Sequence, residues 1–471
     1  MSKNKLFESV EIFDIGSKGQ TIAKSNEGIV LMVKNGVPGD IVDIKTYRKK
    51  KNYFLGNIVN YQSYSKYRVN PKCEHFGLCG GCKLQNISYD YQTKLKENKI
   101  KHSFNKIFKN VNINSILKCK DKFNYRNKLE FSFTDNKWLT NDEIKKNNDI
   151  DRRGIGFHKA GMWDKIVDIK QCHLQEEPSN KIRIALKEFA KNNNISFYNS
   201  RLKKGLLRTV TIRSSSLNQF MVLVQFFENN EKDISLVMNF LKDSSKEIYS
   251  LLYCINNKEN DSIYDREIIL YEGKNYIEEK IKDLIFKIYP KSFFQTNIDQ
   301  TIILYKIVEK FADLNGSEIV YDLYSGLGTI SQFLAKKAKK VIGIESIEEA
   351  VNSAKESAIV NNINNVKFQT GDMKTIFTSN FIKKHGNPDI IITDPPRDGM
   401  HKDVIKEILK LKTKTIVYVS CNPATQLRDL EKLKEKYAIL KVQPVDMFPH
   451  TDHVENVVLL KHKLIKWKKQ F

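Results

Sequence analysis

The chain reads as α/β and β: a small N-terminal β-barrel, a strand-rich middle, and a C-terminal α/β unit built on a doubly wound parallel sheet. Three observations predict this. Residues 6–60 are short apolar-alternating runs broken by tight turns. Residues 121–285 are again rich in strand patterns, and residues 286–471 alternate strand with helix. A length of 471 residues is also too great for one ordinary core. The expected domains are 1–65, 66–285 and 286–471.

The barrel rests on "VEIFDIG", "GQTIAKSNEGIVLMVK" and "DIVDIKTYRKKKNYFLGNIVNYQ", punctuated by Gly, Asn and "GVPGD". Arg48, Lys49, Lys50 and Lys51 form a basic hairpin run beside Tyr47 and Tyr53. Cations interleaved with aromatics suit RNA, and a solvated hairpin tip is the ordinary alternative. Across the chain 79 Lys+Arg face 55 Asp+Glu, a net charge of +24. That excess points to a polyanionic partner, nucleic acid first, although Lys and Asn are frequent throughout. No apolar run reaches the roughly 18 residues of a membrane span. "MSKNKLFESVEIFDIG" lacks the apolar core of a secretory signal. A cytoplasmic chain with no membrane contact is expected, with its 7 cysteines reduced and available for metal or catalytic roles.

The middle opens on "PKCEHFGLCGGCKLQ", which spaces Cys73, Cys79 and Cys82 as C-x5-C-x2-C. Three thiolates need a fourth ligand for tetrahedral zinc or an iron–sulfur cluster. Cys172, Cys119 and Cys254 are the candidates. A helical stretch, "YDYQTKLKENKIKHSFNKIFKN", follows the loop. Strand patterns "KLEFSF", "GIGFHK", "KIVDIK", "RTVTIR" and "FMVLVQFF" come next, interrupted by one helix around 180–192.

In the C-terminal unit, "EIVYDLYSGLGTISQFLAKKAKKVIGIES" is a strand, a glycine turn, a helix and a second strand ending in Glu345. An acid roughly 20 residues after such a turn is placed to accept ribose hydroxyls. After Gly326 and Gly328 no third Gly follows, so the turn suits S-adenosylmethionine better than a dinucleotide. Asp372 follows a third strand and Asp394, in "DPPRDG", a fourth. Both lie at the carboxyl edge, where open α/β sheets bind ligands. The stiff Asp-Pro-Pro loop fits methylation of a planar base atom.

Cys421 closes the strand "TIVYVS" at the same edge. A thiol beside a methyl donor points to C5 methylation of uracil, because C5 is a poor nucleophile until a thiolate adds to C6. A base must then remove the C5 proton, and Glu455, before "VVLL", is the candidate. The bland readings are a buried structural cysteine and a strand-edge surface carboxylate.

These motifs resemble those of the RNA uracil-C5 methyltransferases of the TrmA/RumA type over nearly the whole chain. "GVPGDIVDI" resembles the TRAM-domain signature, implying an OB-like RNA-binding barrel. The cysteine loop together with "GIGFHKAGMWDKIVDIKQCHLQ" is similar to the cluster-bearing branch, implying a 4Fe–4S cluster on Cys73, Cys79, Cys82 and Cys172. "SFFQTN" implies a cofactor contact from Gln295, and "YSGLGT" implies contacts from Tyr324 and Thr329. Glu345, Asp372 and Asp394 fall on the other cofactor positions. "VSCNPATQLRDL" implies Cys421 as nucleophile and "FPHTDHVENVVLL" implies Glu455 as proton acceptor. The resemblance implies an RNA partner, 23S ribosomal RNA, with no obligate protein partner. A tRNA uracil methyltransferase, or a non-catalytic RNA-binding or ribosome-assembly protein, remains the alternative.

Overall fold

The computed structural model describes residues 4–16, 19–146 and 150–464. The extreme ends of the expected first and last domains, 1–3 and 465–471, lie outside the described residues.

Strands Leu6–Ile15, Thr21–Lys24, Val30–Val33, Ile41–Lys49 and Phe54–Ser63 close into a barrel. Neighbouring strands are antiparallel except Val30–Val33 and Phe54–Ser63, which run parallel. Ile12, Ala23, Leu31, Val42 and Ile44 fill its interior, with every one fully buried. The "GVPGD" turn is held by Asp40, whose buried carboxylate accepts from the Val37 and Ser65 amides and pairs with Arg68. Tyr47, Arg48, Lys49 and Lys51 are exposed at the hairpin tip.

The middle is a seven-stranded sheet ordered Ile269–Gly273, Ile248–Ile255, Phe220–Phe226, Leu207–Ser214, Lys128–Thr134, Gly154–His158 and Ile166–Asp168. The expected helix appears as Ser179–Asn192. A second helix, Glu231–Ser244, was not anticipated. Its signal is present: Asn230 caps it, and Ile234, Val237, Met238 and Leu241 form one buried stripe. The two helices meet where Phe189 stacks on Phe240 at 4.0 Å.

The C-terminal sheet is ordered Val366–Thr370, Lys340–Glu345, Ile319–Leu323, Ile390–Thr393, Thr415–Ser420, Glu455–His462 and Tyr437–Val445. The expectation of a parallel sheet is corrected at one edge. The first five strands are parallel, but Glu455–His462 runs antiparallel to both neighbours. A short loop from Val445 to Glu455 allows only a local reversal, whereas a parallel connection needs a crossover of a dozen or more residues.

The sequence ranges interlock in space. Ile100 and Phe104, on the helix Tyr89–Asn105, pack among Tyr321, Leu323 and Leu430 of the C-terminal unit. Ile113 and Leu117 pair in parallel with Val442 and Val445 at its sheet edge. Met221, Leu223 and Leu252 of the middle sheet share a core with Leu304 and Val308.

Candidate active site

Cys421 and Glu455 meet because of strand pairing. Ser420 stands opposite Asn456 in the antiparallel ladder, so the next residue outward on each strand is Cys421 and Glu455. Gln426, on the helix Pro423–Leu433, locks this end of the sheet. Its Nε2 donates to the carbonyls of Tyr418 at 3.0 Å and Asn456 at 3.1 Å, and Asn456 Nδ2 donates back to Gln426 Oε1 at 2.7 Å. All of these groups are buried. Glu455 is itself buried, which excludes the surface-carboxylate reading. Cys421 is only half-buried, unlike the enclosed Cys119 and Cys254.

The loop after Ile390–Thr393 is tied to the turn and helix that follow Cys421. Asn422 Nδ2 donates to the Arg397 carbonyl at 2.9 Å, and Thr425 Oγ1 donates to the same oxygen at 3.0 Å. Buried Asp429 accepts from the Met400 amide at 2.7 Å and the Tyr418 hydroxyl at 2.8 Å. Gly399 (φ +76°) lies against that carboxylate, where a Cβ would come within 2.6 Å of Oδ2.

Desolvation dominates the electrostatics here. It pushes the Glu455 carboxyl up to about 8, with Asp394 raising it further and Arg397 lowering it. It pushes the Cys421 thiol up to about 11, with Glu455 and Asp394 again opposing ionisation and Arg397 favouring it. Asp394 is pushed up to about 7 by desolvation and by Asp322. Asp322 also rises to about 7 through desolvation, against a hydrogen bond from Ser331 at 2.6 Å. The rim therefore holds more acid than the one guanidinium of Arg397 compensates, an arrangement that favours a cationic ligand.

The glycine turn faces open space. A Cβ built at Gly326 meets nothing within 4 Å. Asp322 Oδ1 and Ser325 Oγ are buried beside it without a hydrogen-bond partner. Tyr324 adopts φ +67°, a left-handed conformation costly for a non-glycine residue and typical of functional turns. Thr329 begins the helix Thr329–Ala335, and its hydroxyl lies 2.6 Å from Tyr305 Oη. Glu345 ends its strand and accepts from the Gly326 amide at 3.0 Å and from the Ile347 amide at 3.0 Å. Asp372 is exposed and caps the short helix Met373–Ile376 through the Lys374 amide at 2.9 Å. Gln295 is fixed through its main chain, its carbonyl accepting from Asn127 Nδ2 at 3.0 Å.

The cysteine loop is a separate cluster joined to this site. Burial raises the Cys79 thiol to about 11 and the Cys82 thiol to about 12. Cys73 and Cys172 are also raised, by burial first, and Cys73 raises each of the other three thiols. Among the described residues, no three His, Cys, Asp or Glu side chains are gathered tightly enough to hold a single metal ion. Cys172 is anchored by a reciprocal pair with Asn180, at 2.9 and 3.1 Å. The Lys83 and Leu84 amides donate to the His450 carbonyl at 2.8 and 3.0 Å, tying the loop to the segment that leads into Glu455.

The chain matches the family model for tRNA (uracil-5-)-methyltransferase over residues 263–463. An uncharacterized RNA methyltransferase of Bacteroides thetaiotaomicron is 47% identical, over 95% of this chain and 99% of that protein. One from Porphyromonas gingivalis is 44% identical, over 96% and 99%. The crystal structure of Pyrococcus abyssi tRNA (uracil-54, C5)-methyltransferase with S-adenosyl-L-homocysteine is 30% identical and covers 96% of this chain and 99% of that one, with a TM-score of 0.75. The chain belongs to the tRNA (uracil-5-)-methyltransferase family.

As a member of that family, it is an S-adenosylmethionine-dependent RNA uracil-C5 methyltransferase. The region matched by the family model contains the glycine turn, the Asp-Pro-Pro loop, Cys421 and Glu455. No helix among its described residues is long and apolar enough to cross a membrane. Sequence reasoning passed over Arg397, Asp322 and Gln426. Arg397 and Asp322 stand inside motifs that were read for other residues, "DPPRDG" and "IVYDLY". Gln426 carried no local signal, because its role depends on a partner 30 residues away.

Proposed function

We propose that this methyltransferase modifies C5 of a specific uridine in 23S ribosomal RNA, with Cys421 as nucleophile and Glu455 as proton acceptor. The observation that carries this reading is the emergence of Cys421 and Glu455 side by side beyond the Ser420–Asn456 pair. The Cys421 thiolate adds to uracil C6, and the electron pair moves to C5. Bound S-adenosylmethionine supplies the electrophilic methyl group. C5 takes that methyl, the sulfonium–methyl bond breaking to leave S-adenosylhomocysteine; Glu455 then accepts the C5 proton, and the C6–sulfur bond breaks to regenerate the thiolate. A carboxyl raised to about 8 suits a base that must both take and release a proton near neutrality. The Arg397 guanidinium favours the ionised forms of both groups.

Gln295, Tyr324, Thr329, Glu345, Asp372 and Asp394 are the residues we assign to the cofactor. The fit rests on the orphaned Asp322 and Ser325 atoms, the open space at Gly326 and the surplus of acid, which suits a sulfonium. Cys73, Cys79, Cys82 and Cys172 would hold a 4Fe–4S cluster, whose charge offsets the repulsion among four thiolates. Its role is to order the loop, since methyl transfer needs no electrons. The barrel, closed by the "GVPGD" turn, is assigned as a TRAM domain gripping RNA through its basic hairpin.

A tRNA substrate is the second reading, favoured by the resemblance to the Pyrococcus abyssi enzyme. Mass mapping of 5-methyluridine in ribosomal and transfer RNA, from cells with and without the protein, separates the two. Loss of the mark from 23S RNA alone supports the first; loss from tRNA alone overturns it.

A further inference from the structure

A cavity of about 420 Å³ lies between the barrel and the C-terminal unit, within the roughly 300–1,000 Å³ of small-ligand sites. Four parts of the chain wall it, the cysteine loop contributing Leu84. Phe13 and Asp14 come from the barrel strand Leu6–Ile15. Tyr91, Lys99 and His102 come from the helix Tyr89–Asn105. Asp452 comes from the segment three residues before Glu455. The cavity therefore exists only because the barrel, the helix and the Glu455 segment are held together.

Its chemistry is divided. Phe13 is 52% exposed, an aromatic ring left uncovered on a barrel strand. Tyr91 is stiffened by Tyr67, stacked at 3.6 Å and 3°. Together they offer an apolar aromatic wall of the kind on which bases stack. Lys96 also lines the cavity, but its ammonium is buried and bonded to Asp446 at 2.6 Å and to the Phe448 carbonyl at 3.0 Å. The cation left to a ligand is Lys99, with the His102 imidazole near it on the same helix as a further hydrogen-bonding group, and both are exposed. The carboxylates of Asp14 and Asp452 repel phosphate, so a backbone phosphate belongs on the Lys99 side. Through Asp452 the cavity reaches the segment that leads into Glu455.

We propose that this cavity takes an unpaired nucleotide of the substrate RNA, next to the uridine delivered to Cys421, with its base on Phe13 and Tyr91 and its phosphate at Lys99 and His102. The proposal rests on the assignment of Cys421 and Glu455 above. A flipped uridine unstacks its neighbours, and a stacking wall on the cavity that Asp452 joins to the Glu455 segment offsets that loss. Recognition of the flanking nucleotide also adds selectivity that the uracil ring alone does not carry.

The test uses the full-length protein and total RNA from cells that lack it. The double variant Phe13→Ala/Lys99→Ala is compared with the wild type and with Lys232→Ala, on the exposed face of a remote helix. We expect both the Kd for RNA and the KM to rise roughly tenfold in the double variant, with kcat and S-adenosylmethionine affinity unchanged. Ultraviolet crosslinks to bound RNA should map to Phe13 or Tyr91. Wild-type Kd and KM in the double variant overturn the proposal, and a cavity that serves a protein partner gives that result. If RNA binding depends on the cavity but the wild type makes no 5-methyluridine, the cavity stands and the Cys421 assignment fails.

Discussion

Gln426 and Asn456 are joined twice across the end of the C-terminal sheet: Asn456 Nδ2 donates to Gln426 Oε1 at 2.7 Å, and Gln426 Nε2 donates to the Asn456 carbonyl at 3.1 Å. Gln426 also bonds the Tyr418 and Asn456 carbonyls, so one amide joins the strand before Cys421, the helix after it and the strand that begins at Glu455. The thiol and the carboxyl proposed as the reacting groups are thus held by one buried polar clamp. Replacing Gln426 with Ala would leave buried acceptors unpaired, at a cost on the order of 2–3 kcal/mol. We expect a lower Tm by calorimetry and a kcat reduced more than tenfold, with S-adenosylmethionine binding retained. An unchanged kcat would show that the clamp serves stability alone.

Cys421→Ala should abolish 5-methyluridine formation while leaving S-adenosylmethionine affinity at the wild-type value. Full activity in this variant would remove the covalent route. The comparison is made by isothermal titration and by nucleoside mass spectrometry on the same preparation.

Glu455→Gln should stop the reaction after methyl transfer, because the C5 proton has no acceptor. A covalent protein–RNA adduct should then persist on a denaturing gel. Slow turnover with no adduct would point to another base.

The pH dependence follows from burial. Glu455, raised to about 8, and Cys421, raised to about 11, must both be ionised to act, so kcat/KM should rise with pH through about 8 and go on rising toward about 11. Arg397→Ala should move that profile to higher pH, since the guanidinium lowers both Glu455 and Cys421. Stability runs the other way. A carboxyl with a raised folded pKa is fully tolerated below its ordinary value of 4.5 and opposes folding as pH passes about 8. Glu455→Gln should therefore melt higher than wild type at pH 9, with the difference shrinking toward pH 4. A constant difference would place the effect in packing.

On the cluster assignment proposed above, Cys82→Ser should lose iron by metal analysis and the visible absorption band by spectroscopy. The His450 carbonyl accepts from Lys83 and Leu84, so hydrogen exchange in residues 446–455 should also accelerate. Unchanged exchange there would uncouple the cysteine loop from the Glu455 segment.

Local pattern carried much of this protein. Short alternating runs and the "GVPGD" turn specify a barrel; the glycine turn, Asp394 and Cys421 each follow a β-branched strand and so fall on one sheet edge. The helix Glu231–Ser244 was legible in its stripe and Asn230 cap and was overlooked. Other features had no local signature. Burial of Glu455 comes from a strand inserted antiparallel between Thr415–Ser420 and Tyr437–Val445. The helix Tyr89–Asn105 covers the C-terminal core although it lies more than two hundred residues earlier in the chain. Residue type and period depend on neighbours a few positions away, so the sequence determined which chemistry each element carries. Which elements touch depends on burying apolar faces against partners distant in the chain, and only the tertiary structure decided that the thiol, the buried carboxyl and the guanidinium share one rim of the sheet.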